Sequence, residues 1–490
     1  MPETSLKDVL KLTIISFTLS LSCNFQYGFS STYLNTPVDE FKNFINESLN
    51  KRRVVMTEST YDWIWNLIAN IWFVGFFFGI WLSPLLNDRF GRKVGFISMN
   101  GLSLIASGLR FLAILVYSPE LLFTGRLLAS ISTAVTYQSL ILYLQECSPT
   151  KYRGVMSFTS EISYATMSLL GMFLGMDSIF GKNLKLLVGF AIIPSTLALV
   201  VLFPMPETPK FLYIVKNNPK AAAKSIQFYH GSSADVDSVL HEIAREAEED
   251  SQANSSIKEI FTTPYLRKAL LLSCLALQNT VALWALLLSS TDFLKHADLK
   301  SDIAEWSSTG MALAYVIGTI SGSTCVEKFG RRPMILFFST ANTLCIVFYV
   351  VFAAFQPWIN FLQYGCLVCF LLYGFTYGFG VGPITWFISA ELVPQRHRSL
   401  VQSLCYAINT IMVVISTFTI LPLFSAIKAY AFVALYVIPS CFSLVYLFAQ
   451  LPETKGREIY EIVSELKGKS GSSRDSTTDS ASSDITKNQM

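Results

Sequence analysis

Asp88-Arg89-Phe90-Gly91-Arg92-Lys93 returns later in the chain as Glu327-Lys328-Phe329-Gly330-Arg331-Arg332, in the same order of acid, base, aromatic, glycine, base, base. Working outward, Glu146 with Arg153 returns as Glu391 with Arg398, 245 residues downstream. Pro206-Glu207-Thr208 returns as Pro452-Glu453-Thr454, 246 residues downstream. Three motifs at nearly one offset mean that the chain is written twice.

Apolar stretches of about 20 residues, enough to cross a hydrocarbon core of about 30 Å, separate these motifs. Twelve can be drawn: 10–31, 62–84, 94–116, 120–144, 156–179, 184–204, 266–290, 304–326, 333–353, 361–389, 399–423 and 430–450. The chain is 52% apolar and 14% charged; a soluble chain carries about a quarter charged residues, so too few charges remain to coat a soluble protein of this size. The first stretch contains Asn24, Gln26 and Tyr27 and has no small-residue cleavage site, which makes it a retained helix and not a signal peptide.

The predicted fold is therefore an all-α membrane protein of twelve transmembrane helices in two six-helix bundles related by a parallel repeat. Residues 1–204 form the first bundle, with an extracellular loop at 35–61, and 266–451 form the second. Residues 205–265 are polar and rich in helix formers, as in Lys220-Ala221-Ala222-Ala223-Lys224, and predict a cytoplasmic helical linker. The tail, 452–490, is expected to be mostly disordered from about 468 onward. Arg89, Arg92 and Lys93, Lys151 and Arg153, Lys328, Arg331 and Arg332, and Arg396 and Arg398 all fall in short loops on one side. The positive-inside rule makes that side, and both termini, cytoplasmic. Lys51, Arg52 and Arg53 fall on the other side, in a long loop that counts for less. The same loop carries the sequon Asn46-Glu47-Ser48 and so a glycosylation site at Asn46, whereas Asn254-Ser255-Ser256 would be cytoplasmic and silent.

A net charge of +3 is too small to argue for nucleic acid. Nine cysteines and four histidines show no disulfide framework and no zinc spacing, and Cys366-x-x-Cys369 inside an apolar helix reads as packing. No metal, no cofactor and no enzymatic residue set is indicated; the expected partners are the bilayer and a small solute.

Gly125-Arg126, Glu146 through Gly154, Pro206-Glu207-Thr208-Pro209-Lys210, Gly382-Pro383-Ile384-Thr385-Trp386-Phe387, Ala390-Glu391-Leu392 and Pro452-Glu453-Thr454-Lys455-Gly456 resemble the signature motifs of the facilitative hexose transporters, sugar porters of the major facilitator superfamily. The resemblance covers about 20 to 460. It implies uniport of a hexose, glucose or fructose in kind, by alternating access across a plasma membrane, with the site between the bundles.

Polar residues at membrane depth default to functional candidates. Counted at 1.5 Å per residue from the nearest cytoplasmic base, Glu161, Gln278 and Asn409 lie roughly 12–17 Å deep. The resemblance puts Gln278 and Asn409 at sugar-binding positions of spans 7 and 11, and Trp386 at the span 10 tryptophan of the inner cavity. Gln26, in Phe25-Gln26-Tyr27-Gly28-Phe29, joins them as a candidate contact from span 1, in a stretch closer to the fructose-carrying branch. Amides exchange hydrogen bonds with hydroxyls, and an indole covers the apolar face of a sugar.

The departures from the family are equally specific. Leu277 and Leu283 stand where it has a glutamine and an asparagine, Leu287 and Leu288 replace paired tyrosines, Tyr315 replaces an asparagine, and Glu161 replaces a glutamine. Ser30 occupies the position of the aspartate that couples protons in related symporters. A non-transporting sugar sensor on the same scaffold, a polyol carrier and a proton-coupled porter stay open beside the uniporter.

Charged residues at the cytoplasmic bundle ends form the second candidate set: Arg92, Glu146, Arg153, Glu207, Glu327, Arg331, Arg332, Glu391, Arg398 and Glu453. Pairs between bundle ends are expected to hold that side shut in one state and to separate in another. Arg110, in the outer half of span 3, is expected to reach toward the lipid headgroups.

Overall fold

The computed structural model of the chain describes residues 6–54, 57–148, 153–231, 235–251, 257–455, 457 and 459–468. The tail beyond 468, Lys151 and the Asn254 sequon lie outside the described residues, as do the side chains of Asp88, Arg153, Glu327, Arg396 and Arg398.

Twelve long helical segments run back and forth: α1 (Leu6–Thr32), α2 (Glu58–Phe90), α3 (Arg92–Val116), α4 (Pro119–Cys147), α5 (Arg153–Leu174) and α6 (Leu184–Leu202) in the first bundle; α7 (Pro264–Lys295), α8 (Ser301–Phe329), α9 (Arg331–Phe355), α10 (Leu362–Ser389), α11 (Gln395–Ile427) and α12 (Tyr430–Gln450) in the second. Ten are apolar enough to be recognised as membrane spans by composition alone; α1 and α5 are not. Those two pack on each other and spend their polarity there. Ser20 bonds Thr159 at 3.0 Å, Asn24 Nδ2 donates to the Ser160 carbonyl at 2.7 Å, and Thr32 and Thr36 donate to the Ser168 and Met172 carbonyls. Without a hydrophobic drive between helices in lipid, such bonds and close backbone approach hold a bundle together.

The sequence repeat is also a structural one. Gly91 joins α2 to α3 at φ 104°, ψ 161°, and Gly330 joins α8 to α9 at φ 93°, ψ 167°, a region open in practice only to glycine. A Cβ on Gly91 would meet Glu207 Oε2 at 2.3 Å, and one on Gly330 would meet Glu453 Oε2 at 2.8 Å. Each glutamate lies against the N-terminus of the following helix and accepts its free amides: Lys93 N at 3.0 Å for Glu207, Arg331 N and Arg332 N at 3.0 Å for Glu453. Burial pushes the Glu207 carboxyl above the usual carboxylate range, against the lowering by those amides.

In the second bundle two proline-containing helices widen by one residue just ahead of the ring. Tyr377–Val381 precedes Gly382-Pro383 in α10, and Val433–Val437 precedes Ile438-Pro439 in α12. A proline ring collides with the carbonyl four residues back and offers no N–H to it, and the wider turn removes both conflicts.

Residues 35–61 are not all loop: Val38–Lys51 is a helix whose Phe41, Phe44 and Ile45 are buried on the first bundle. Asn46 is half-buried on that helix, and Ser48 of its sequon is buried.

Between the bundles the chain forms helices Pro219–His230, Val236–Ser251 and Ile257–Thr262. The first is fixed to bundle one: Ser225 Oγ donates to the Glu207 carbonyl at 2.7 Å, Tyr229 Oη to the Pro206 carbonyl at 3.1 Å, and Lys11 Nζ to the Phe228 carbonyl at 3.1 Å. The last belongs to bundle two, with Glu259 3.6 Å from His397 Nε2 at the start of α11.

Candidate functional site

The bundles meet along α5 with α8, α2 with α11, and α1 with α7. Between them lie two adjoining small cavities, of about 20 and 10 Å³, that share Tyr27, Trp284 and Trp386 as walls. Glu161 lines one and Asn409 the other.

The helix that forms the floor is broken twice. α7 stops at Gln278, turns at Asn279–Thr280 and resumes at Val281; Ser289 then leaves helical geometry at φ −144°, ψ 17°. Broken helices at membrane depth survive only where other groups satisfy the freed backbone. Asn409 Nδ2 does this from α11, donating to the Leu277 carbonyl at 3.1 Å, and Asn279 Nδ2 donates to Leu275 O and to Ser443 Oγ at 2.9 Å. At Ser289 the freed groups cross to the other bundle. Asn35 Nδ2 donates to Ser290 Oγ at 2.8 Å and to the Leu286 carbonyl at 3.3 Å, and Thr291 N donates to Asn35 Oδ1 at 3.1 Å.

Around Glu161 the walls are aromatic. Tyr27 lies 4.5 Å from Tyr164, 5.1 Å from Tyr137 and 5.9 Å from Trp284 between ring centroids, and Tyr315 lies 5.3 Å from Tyr377. Tyr315 Oη donates to Glu161 Oε1 at 2.5 Å, from α8 to α5 and so across the bundle interface. Trp386 closes the far side and stacks edge-on to Tyr406 at 4.9 Å.

Of the residues expected here, Glu161, Trp386 and Asn409 line the cavities; Gln278 ends the first half of α7 and does not. Gln26 points elsewhere. Its Nε2 donates to Ser107 Oγ at 2.8 Å and to Ser195 Oγ at 2.6 Å, and its Oε1 accepts from Ser30 Oγ and Arg110 Nη2. One residue along a helix turns the side chain by about 100°, so that Tyr27 faces the cavity and Gln26 the interior of its own bundle. Tyr27, Tyr164 and Trp284 were missed by sequence reasoning; Tyr164, three residues after Glu161, shares its helical face and could have been inferred.

Arg110 does not reach for headgroups. It is 1% exposed, with Nη1 on Ser30 Oγ at 2.7 Å and Nη2 on Gln26 Oε1 and Ser107 Oγ at 3.0 and 2.9 Å. Three charge-assisted bonds of about 1.5–3 kcal/mol each are comparable to the several kcal/mol that burying an ion costs, so the bundle interior can hold it. Arg126 is buried beside it on the carbonyls of Ile68, Ser30 and Ala69.

At the face where the helical linker lies, Arg92 pairs with Glu146 at 2.8 Å, both at most 14% exposed, and Arg331 with Glu391 at 3.5 Å. Thr208 and Thr454 hydroxyls donate to Glu146 and Glu391 at 2.5 Å each. Arg332 Nη2 donates to the Phe448 carbonyl. These bonds each stay within one bundle and so fasten its own helix ends together; the partners expected across the interface, Arg153 and Arg398, lie outside the described side chains. Toward the opposite face, bonds join the two bundles: Asn66 Nδ2 donates to the Phe418 carbonyl, Asp177 N to Glu305, and Lys295 pairs with Asp39 at 2.8 Å. That opposite face is closed.

The sugar (and other) transporter family model matches residues 15–466. The chain belongs to that family. Among curated sugar transporters, mouse facilitated glucose transporter member 3 of solute carrier family 2 is 28% identical over 470 residues, covering 94% of both chains. Rat member 5 of the same family is also 28% identical, over 94% of this chain and 92% of its own. Among solved structures, the proton:xylose symporter XylE bound to 6-bromo-6-deoxy-D-glucose aligns with TM-score 0.74 at 15% identity, over 94% of this chain and 99% of that one. The inward-open xylose transporter XylE from E. coli aligns with TM-score 0.73 at 17% identity, over 92% and 99%. At such identities the structural likeness establishes the shared twelve-helix sugar-porter fold, and this chain is an integral membrane protein of that fold.

Proposed function

We propose that this chain is a uniporter for a hexose or a closely related small polar solute, working by alternating access in the plasma membrane. The face with the helical linker and both termini is cytoplasmic in this reading. The observation that carries it is the convergence of Glu161 and Asn409, from opposite bundles, on adjoining cavities walled by Tyr27, Trp284 and Trp386. A site built half by each bundle changes its access when the bundles rock. The relatives named as glucose transporters and the xylose symporter support a sugar as the solute.

Uniport is favoured over proton coupling by Ser30. The two buried arginines beside it donate to hydroxyls, an amide and carbonyls, with no carboxylate among these partners. The cytoplasmic pairs Arg92–Glu146 and Arg331–Glu391, with Glu207 and Glu453 capping α3 and α9, keep each bundle rigid as it moves. The test is uptake of labelled glucose, fructose and polyols by proteoliposomes holding the purified chain, with and without a pH gradient. Downhill uptake that equilibrates regardless of the gradient is expected; uphill accumulation driven by protons would make the protein a symporter, and absence of uptake with retained sugar binding would make it a sensor.

A further inference from the structure

The cavity walls carry one carboxyl group. Glu161 is the carboxylate among the lining residues, and no lysine, arginine or histidine lines either cavity. Its recorded hydrogen bond is the one from Tyr315, and the ion pairs of the described residues do not include it. A carboxylate out of water is expensive unless a counter-charge reaches it.

The surroundings add to the same field. Aromatic faces are the negative side of the ring quadrupole and attract cations. Tyr27, Tyr164 and Trp284 lie within 6.0 Å of one another around Glu161, with Tyr315 and Tyr377 on the other side. A carboxylate beside ring faces repels anions and favours a cation. Some groups for sugar hydroxyls are replaced by leucine, at 277, 283, 287 and 288, and one N–H of the Asn409 amide is engaged by the Leu277 carbonyl, while the phenols of Tyr27, Tyr137 and Tyr164 stand on the walls. The indole N–H groups of Trp72 and Trp284, which line the cavity, have no hydrogen-bond partner and can donate to solute oxygens.

We propose that the preferred solute is a hexose bearing a protonated amino group, its ammonium held between Glu161 and the aromatic walls and its hydroxyl oxygens met by the two indoles. This rests on the reading of the chain as a hexose carrier and narrows it. The carried species is a cation, so its transport is electrogenic.

The test compares labelled glucosamine, N-acetylglucosamine and glucose in proteoliposomes at neutral pH. Glucosamine is expected to enter at least tenfold more efficiently than either neutral sugar. An inside-negative potential of about 60 mV, set with potassium and valinomycin, should raise its accumulation about tenfold, and glucose should not respond. Glu161→Gln should bring the glucosamine-to-glucose ratio near one, whatever the absolute rates; the potential response of the parent protein decides the matter if that variant does not fold. Glucose and glucosamine carried equally, with no response to potential, would overturn the proposal and leave hexose transport standing. Uptake of none of the three would overturn both.

Discussion

Asn35 provides the sharpest test of how the closed face is held. Replacing it with alanine removes three hydrogen bonds between the turn after α1 and α7: those to Ser290 Oγ and the Leu286 carbonyl, and the one from Thr291 N. The groups left behind are buried, and two belong to backbone freed by the break at Ser289. At about 1 kcal/mol per neutral bond the closed arrangement loses about 3 kcal/mol. When that face opens, the same groups reach water, so the open arrangement loses almost nothing. Asn35→Ala should therefore shift the equilibrium toward opening at that face by about a hundredfold, at a tenfold change per 1.4 kcal/mol. Spin labels on the outer ends of α1 and α7, with distances read by pulsed electron resonance, report the shift directly. A distance distribution unchanged from the parent would refute the assignment of Asn35 as a gate residue.

Asn409→Ala, which strips the cavity wall and frees the Leu277 carbonyl, should lower uptake about tenfold at normal protein yield, and Gln278→Ala should do less; if Gln278→Ala is the more damaging in a transport assay, the cavity has been placed wrongly. Gly91→Ala and Gly330→Ala each force a side chain into glycine-only backbone at about 1–3 kcal/mol and press on Glu207 and Glu453, so both should lower the melting temperature in detergent, Gly91→Ala more because its Cβ comes closer. Equal melting temperatures for all three proteins would show that the caps do not matter. Arg110→Met should lower stability and slow transport together by loosening α1 from α3, whereas an exposed arginine would tolerate the change; unaltered melting would return Arg110 to the surface.

Much of the fold was legible because it is periodic. The recurring motifs located the two bundles, and the length of the apolar stretches located the helices, α1 and α5 included, although their polarity hides them from composition alone. Neither break of α7 was legible: the stretch 266–290 reads as one helix, and at Ser289 only Asn35 from the other bundle makes a kink tolerable. Depth along a helix picked out Glu161, Gln278 and Asn409, because rise per residue is fixed, and Gln278 does not line the cavities. Direction around the helix was harder. Gln26 and Tyr27 are equally deep, and which of them faces the cavity depends on where Ser107, Ser195 and Arg110 stand on other helices. Arg110 shows the same limit, since a buried cation looks like a snorkelling one until its partners are placed.

The docking of the interbundle helices has an engineering consequence. Helix Pro219–His230 is anchored wholly on the first half and helix Ile257–Thr262 on the second, while the paired glycine-glutamate caps fasten each half to itself. Each half therefore carries its own scaffolding. A chain cut between Ser251 and Ile257 and produced as two polypeptides should reassemble into a working protein, and the interchangeable unit for chimeras with other sugar porters is the half with its attached linker helix, not the individual span.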